Sequence, residues 1–171
     1  MKLSQSMKDR MKNLILSDKF TEEEKTIDLQ LRRLGDDIYK SIPDISKAQK
    51  LPKGWLPVKT YISCSFNGMR DYVYLTEAKP MPDMLYDKRQ DFTSDHEFTK
   101  RFRVIYEAKE NTALRRNELK HELEGVLAGV NTDKQLLSIW PEAIKWLPST
   151  SVPVPVVQSV DRLKQLLGSD L

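Results

Sequence analysis

Between Val58 and Leu75 apolar and polar residues alternate on either side of Asn67-Gly68, and this stretch constrains the fold more than any other part of the 171-residue chain. Val58, Thr60, Ile62, Cys64 and Phe66 alternate with Lys59, Tyr61, Ser63 and Ser65, the period of two that a strand with one buried face requires. Asn and Gly both tolerate the positive φ that a two-residue type I′ turn demands. Counting outward from the turn sets Phe66 against Met69, Cys64 against Asp71, Ile62 against Val73 and Thr60 against Leu75 on one face. Ser65 with Arg70, Ser63 with Tyr72 and Tyr61 with Tyr74 share the other. A lone hairpin over about residues 58–77 is marginal in water, so its apolar face must pack on a helix or a third strand.

Around this hairpin the period is helical. Met7, Met11, Leu14 and Ile15 recur on one face from Ser4 to Phe20, with Lys8, Arg10, Lys12 and Lys19 on the rest. Thr21 followed by Glu24 fits a capping box, so the spacing predicts a break there and a second helix to about Lys40 carrying Ile27, Leu31, Leu34 and Ile38. Pro52-Lys53-Gly54-Trp55-Leu56-Pro57 forbids continuous helix before the hairpin. Met84 to Asp91 reads as a short strand or a loop. Ser94, with Glu97 as capping partner, is expected to open a long helix over about 95–128, on which Phe98, Phe102, Ile105, Thr112, Leu119, Leu123, Val126 and Val130 form a near-heptad seam. Thr132 or Asn131 caps the next helix, and Pro141 suits the first turn of a new one, where its missing amide costs nothing. Pro153 and Pro155 make 149–157 extended, and 159–167 reads as a final amphipathic helix.

The expected fold is α+β: one helix-rich domain over 1–171, with N-terminal helices in 4–40, the hairpin at 58–77 packed on the long helix, and a helical C-terminal part over 95–167. A length of 171 residues suits one domain with a real core, and 39% hydrophobic with 31% charged residues suits folding rather than disorder. A net charge of +3 permits an acidic partner without being a dedicated nucleic-acid footprint. The start is charged from Lys2 through Lys19, and no apolar run approaches the roughly 20 residues of a membrane span, so neither export nor membrane insertion is expected. A single cysteine excludes an intrachain disulfide and a Cys-rich zinc site, and a cytoplasmic setting fits.

Catalytic signatures are missing from the sequence. No Gly-rich loop ends in Gly-Lys-Ser/Thr, and Gly54, Gly68, Gly125, Gly129 and Gly168 are scattered. His96 and His121 lie about seven turns apart on one helix and cannot meet at one metal. Asp87, Asp91, Asp95, His96 and Glu97 gather before the long helix, where capping accounts for them better than a divalent cation does. Cys64 falls on the apolar hairpin face with no base beside it. No catalytic residue, metal or cofactor is therefore assigned. The candidate binding residues are Tyr61, Tyr72, Tyr74, Arg70 and Lys59 on the polar hairpin face, which could stack bases and neutralise phosphate. The plain alternative is aromatic cross-strand pairing. Lys100, Arg101, Arg103, Lys109, Arg115, Arg116 and Lys120 alternate with glutamates and read as an ion-paired helix face.

Two motifs carry a kinship. Asn131-Thr132 leading through Leu136-Leu137 to Trp140-Pro141-Glu142-Ala143 and Leu147-Pro148, together with Leu51-Pro52-Lys53-Gly54-Trp55-Leu56 before the hairpin, resembles the fifth nucleotide-modification-associated domain family of tailed bacteriophages and prophages. The charged first helix resembles the start of its members too. The resemblance implies a setting, phage nucleotide or DNA modification in an infected bacterial cytoplasm, and carries no catalytic residue set. Trp140 and Trp146 read as core anchors. The expected function is that of an accessory protein that binds a host or phage macromolecule, a host defence or nucleic-acid enzyme among the targets. A modification enzyme or a subunit of one is the alternative, and a DNA-binding module the second. The expected partner is a protein, with nucleic acid as the other option and no membrane; the sequence does not set the oligomeric state.

Overall fold

A computed structural model of the chain describes residues 1–43, 45–52, 54–81 and 88–147. Helix α1 spans Gln5–Ser41 and α2 Ile45–Ala48; strands β1 (Val58–Phe66), β2 (Met69–Pro80) and β3 (Gln90–Phe92) follow. Helix α3 spans Glu97–Ala128, α4 Asp133–Ile139, and a 3-10 helix Pro141–Trp146 comes last. The fold is α+β, as its sequence pattern predicts. The helix predicted at 159–167 and the extended stretch at 149–157 lie outside the described residues, as do residues 84–87 of the stretch 84–91, whose end enters β3.

Backbone contacts divide the chain into two compact units: Met1–Glu23 with the described residues from Asn111 on, and Glu24–Glu110. Each has its own core.

In the first unit, Ile15, Leu16 and Phe20 of α1 are buried with Leu119 and Leu123 of α3 and Leu136, Leu137 and Trp140. Thr132 opens α4 with a full capping box, its hydroxyl accepting from the Gln135 amide at 3.2 Å while the Gln135 carboxamide accepts from the Thr132 amide, also at 3.2 Å. Pro141 begins the 3-10 helix and Trp140, 1% exposed, lies 5.5 Å from the ring of Trp146. The Trp-Pro-Glu segment is thus a hinge with a buried anchor. The Met1 amine sits 2.5 Å from the buried Asp133 carboxylate, and Leu3 donates to the Asn131 carbonyl. Together the amine and the Lys134 amide hold the Asp133 carboxyl below its usual range despite burial.

In the second unit, the sheet has the order β2-β1-β3, with β1 antiparallel to β2 and parallel to β3. Asn67 and Gly68 take φ of 52° and 87°, as the turn requires. The hairpin pairs in the predicted register from Phe66↔Met69 to Tyr61↔Tyr74. Beyond Tyr61 the prediction fails: a register shift sets Lys59 opposite Lys79, so Thr60 does not face Leu75 and β2 runs on to Pro80. The extra β2 residues form an irregularity of the kind that bends a strand. Ile62, Cys64, Phe66, Val73 and Leu75 are buried with Leu34, Ile38 and Tyr39 of α1 and Phe102 and Ile105 of α3. Phe66 stacks on Phe102 at 4.1 Å, so the hairpin packs on the long helix.

Close approach of α1 to β2 depends on Gly35, where a Cβ would overlap the Tyr74 carbonyl oxygen. Polar contacts then fasten the helix to the strand. Arg32 donates to the Leu75 carbonyl at 2.9 Å, Tyr39 to the Pro80 carbonyl at 2.7 Å, and Thr76 to Asp36 at 2.5 Å. Lys79 pairs with Asp36 at 2.9 Å. Burial alone would raise the Asp36 carboxyl, but the bonds from Thr76 and Lys79 outweigh it and hold the group below its usual range.

Two predicted helix starts are corrected. Helix α1 does not break at Thr21; that hydroxyl lies 3.0 Å from Ser17 Oγ one turn back. Glutamates favour a helix interior as well as an N-terminus, and no proline or glycine intervenes. Ser94 does not cap α3. The His96 Nδ1 accepts from the Phe98 amide at 3.1 Å and the His96 carbonyl accepts from Lys100, so the helix opens two residues later with an imidazole as its cap.

Candidate functional site

Strand alternation sends Ile62, Cys64, Val73 and Leu75 inward, and the same alternation raises Lys59, Tyr61, Tyr72 and Tyr74 on the opposite face of the hairpin. Tyr72 and Tyr74 are 60% and 50% exposed, against a half-buried Tyr61. Tyr61 is the hub: its ring meets Tyr72 edge-on at 5.2 Å and Tyr74 at 6.0 Å. Such T-shaped contacts set the positive ring edge against the negative face, so the three phenols hold one another in place.

Cations cover two of the rings. The Lys59 ammonium stands 5.5 Å over Tyr61, and the Arg32 guanidinium 5.9 Å over Tyr74. Arg32 is itself fixed by Asp28 at 2.7 Å and by the Leu75 carbonyl. Its place at the site was not readable from sequence, because only the packing of α1 on β2 brings it to the hairpin; the one hint is Gly35 within the helix. Tyr72 is the tyrosine here with no cation over its ring among the described contacts. Arg70 is exposed beside the turn, opposite Ser65, and its charge reaches Asp91. Arg89, 2.8 Å from Asp91, is the main reason that carboxyl stays below its usual range.

The structure therefore brings together Lys59, Tyr61, Tyr72 and Tyr74 and sets Arg70 to one side. This arrangement can stack, donate hydrogen bonds from phenols and attract electron-rich groups. Nucleophilic chemistry has no support nearby, since Cys64 is fully buried and burial pushes its thiol up to about 12. Among the described residues no group of three His, Cys, Asp or Glu could hold a metal ion. Within the acidic cluster, Asp95 accepts from the Thr93 hydroxyl at 2.6 Å, while Asp87 lies outside the described residues. On the basic face of α3, Arg101 pairs with Asp37 of α1 at 2.9 Å and Arg115 with Glu23 of α1, and Arg101 also pairs with Glu97 along its own helix. No helix of the described residues is long and apolar enough to cross a membrane.

Residues 2–169 match the family of nucleotide modification associated domain 5. Neither the curated proteins nor the solved structures offer a significant match.

Proposed function

Since the chain belongs to the nucleotide modification associated domain 5 family, we propose that it is a non-enzymatic accessory protein of phage-infected cells that binds a host or phage protein in the bacterial cytoplasm through its tyrosine face. The observation that carries this reading is the exposed Tyr72 and Tyr74, pre-set by edge-on contacts with the half-buried Tyr61 and flanked by Lys59 and Arg32. Tyrosine and arginine are the residues on which protein interfaces concentrate their binding energy, because large rigid rings bury area at little entropic cost. A protein suits the face better than a nucleic acid does. Arg32 is neutralised by Asp28 and Lys79 by Asp36, so few cations remain to face a phosphate chain.

Affinity capture from infected cells tests the reading. A specific protein partner retained by the native chain and lost with Tyr72→Ala/Tyr74→Ala supports it, and capture indifferent to those substitutions overturns it. If the captured macromolecule is instead nucleic acid and affinity falls steeply with salt, the face is a DNA-binding module.

The family description favours one rival, an enzyme or enzyme subunit that modifies nucleotides or DNA, with the tyrosines and Arg70 holding base and phosphate. Under that rival, deleting the gene changes the nucleoside composition of phage DNA. Unchanged nucleosides leave the accessory role standing.

A further inference from the structure

A second surface, separate from the tyrosine face, lies wholly within the Glu24–Glu110 unit. Gln30 and Arg33 of α1 and Lys100, Arg101, Val104 and Ile105 of α3 line a groove of about 440 Å³. Its apolar part is aliphatic: Ile105 is buried, whereas Val104 is 67% exposed and open to a partner's side chain. Its rim is cationic. Arg101 is satisfied by Asp37 and Glu97. Arg33 and Lys100 are exposed and form no ion pair among the described residues, although the field of Lys100 reaches Asp95.

We propose that this groove docks an acidic amphipathic segment of a protein partner, its aliphatic side chains on Val104 and Ile105 and its carboxylates at Arg33 and Lys100. Charge complementarity selects this occupant. A purely apolar segment would cover the strip but strand two cations away from water, and a polyanion without apolar side chains would leave the strip wet. A helix laid along the groove does both tasks, since carboxylates can flank an apolar stripe on one helical face.

The test uses the full chain with labelled valine and isoleucine methyls and two synthetic helical peptides sharing one leucine stripe, one flanked by glutamates and the other by lysines. The glutamate peptide is expected to shift the Val104 and Ile105 methyl signals, and the lysine peptide to leave them in place. Arg33→Glu/Lys100→Glu weakens the glutamate peptide by about tenfold or more and admits the lysine peptide. Arg33→Gln/Lys100→Gln, which adds no repulsion, shows the same weakening to a smaller degree and serves if charge reversal impairs folding. Equal binding of both peptides, or binding of leucine-free polyglutamate as tight as the glutamate peptide, overturns the proposal. Tyr72→Ala leaves peptide binding unchanged, so this groove and the tyrosine face can fail separately.

Discussion

The two units treat their aromatic clusters in opposite ways. In the first, Trp140 and Trp146 meet at 5.5 Å with Trp140 sealed from solvent. In the second, Tyr61, Tyr72 and Tyr74 meet at 5.2 and 6.0 Å with two of the rings half or more exposed. Ring contacts of similar span thus serve a core in one place and a surface in the other. Burial separates the two roles. A buried indole contributes by leaving water, whereas an exposed phenol keeps that gain in reserve for whatever covers it.

Substitutions can break this contrast, and Trp140→Ala should have the largest effect. Removing a sealed indole costs about 3–5 kcal/mol through lost transfer and the cavity left behind, read from denaturant unfolding. A loss of about 0.5 kcal/mol or less, the range of surface changes, would mean the tryptophan is no anchor. Gly35→Ala comes next. The added methyl must push α1 away from the Tyr74 carbonyl, which costs about 1–3 kcal/mol and disturbs Arg32 over Tyr74, so tyrosine fluorescence should change with stability.

Acid sensitivity sharpens the comparison further, because each unit holds a carboxylate below its usual range: Asp133 in the first and Asp36 in the second. A depressed carboxyl contributes stability that is complete above about pH 4 and is lost as pH falls through the lower native value. Asp36→Asn should therefore flatten the acid limb of the stability profile, and an unchanged limb would count against the Thr76 and Lys79 bonds. Tyr72→Ala/Tyr74→Ala should have the smallest effect on stability, within about 0.5 kcal/mol, while abolishing partner capture. Substantial unfolding would recast the tyrosines as structural.

How much was legible in the sequence depended on whether a local rule decided the outcome. Asn67-Gly68 fixed the turn, and alternation carried the register out to Tyr61. The irregularity beyond it answers to where β2 meets α1, which no local pattern encodes. A cap at Asn131 or Thr132 was readable, and the structure settles on Thr132 because Gln135 answers it within one turn; Thr21 and Glu24 offer an equivalent pattern, yet the helix passes through them because its apolar stripe continues on both sides. Likewise Ser94 fits a capping box, but tilted and edge-on ring contacts among Phe92, His96 and Phe98 accompany a cap at His96 instead. At the candidate site the tyrosines followed from strand parity, whereas Arg32 arrived from a helix some forty residues away.

β2 is an edge strand of its sheet, with groups on its outer side that could pair with another chain. Several are already engaged: the Tyr72 amide bonds the Asp71 carboxylate at 2.7 Å, the Leu75 carbonyl takes Arg32, and the Thr76 amide faces Asp36 at 3.4 Å. Side chains thus act as a selvage along the sheet. Filament growth by strand addition would have to displace them one after another, so self-association along this edge is discouraged.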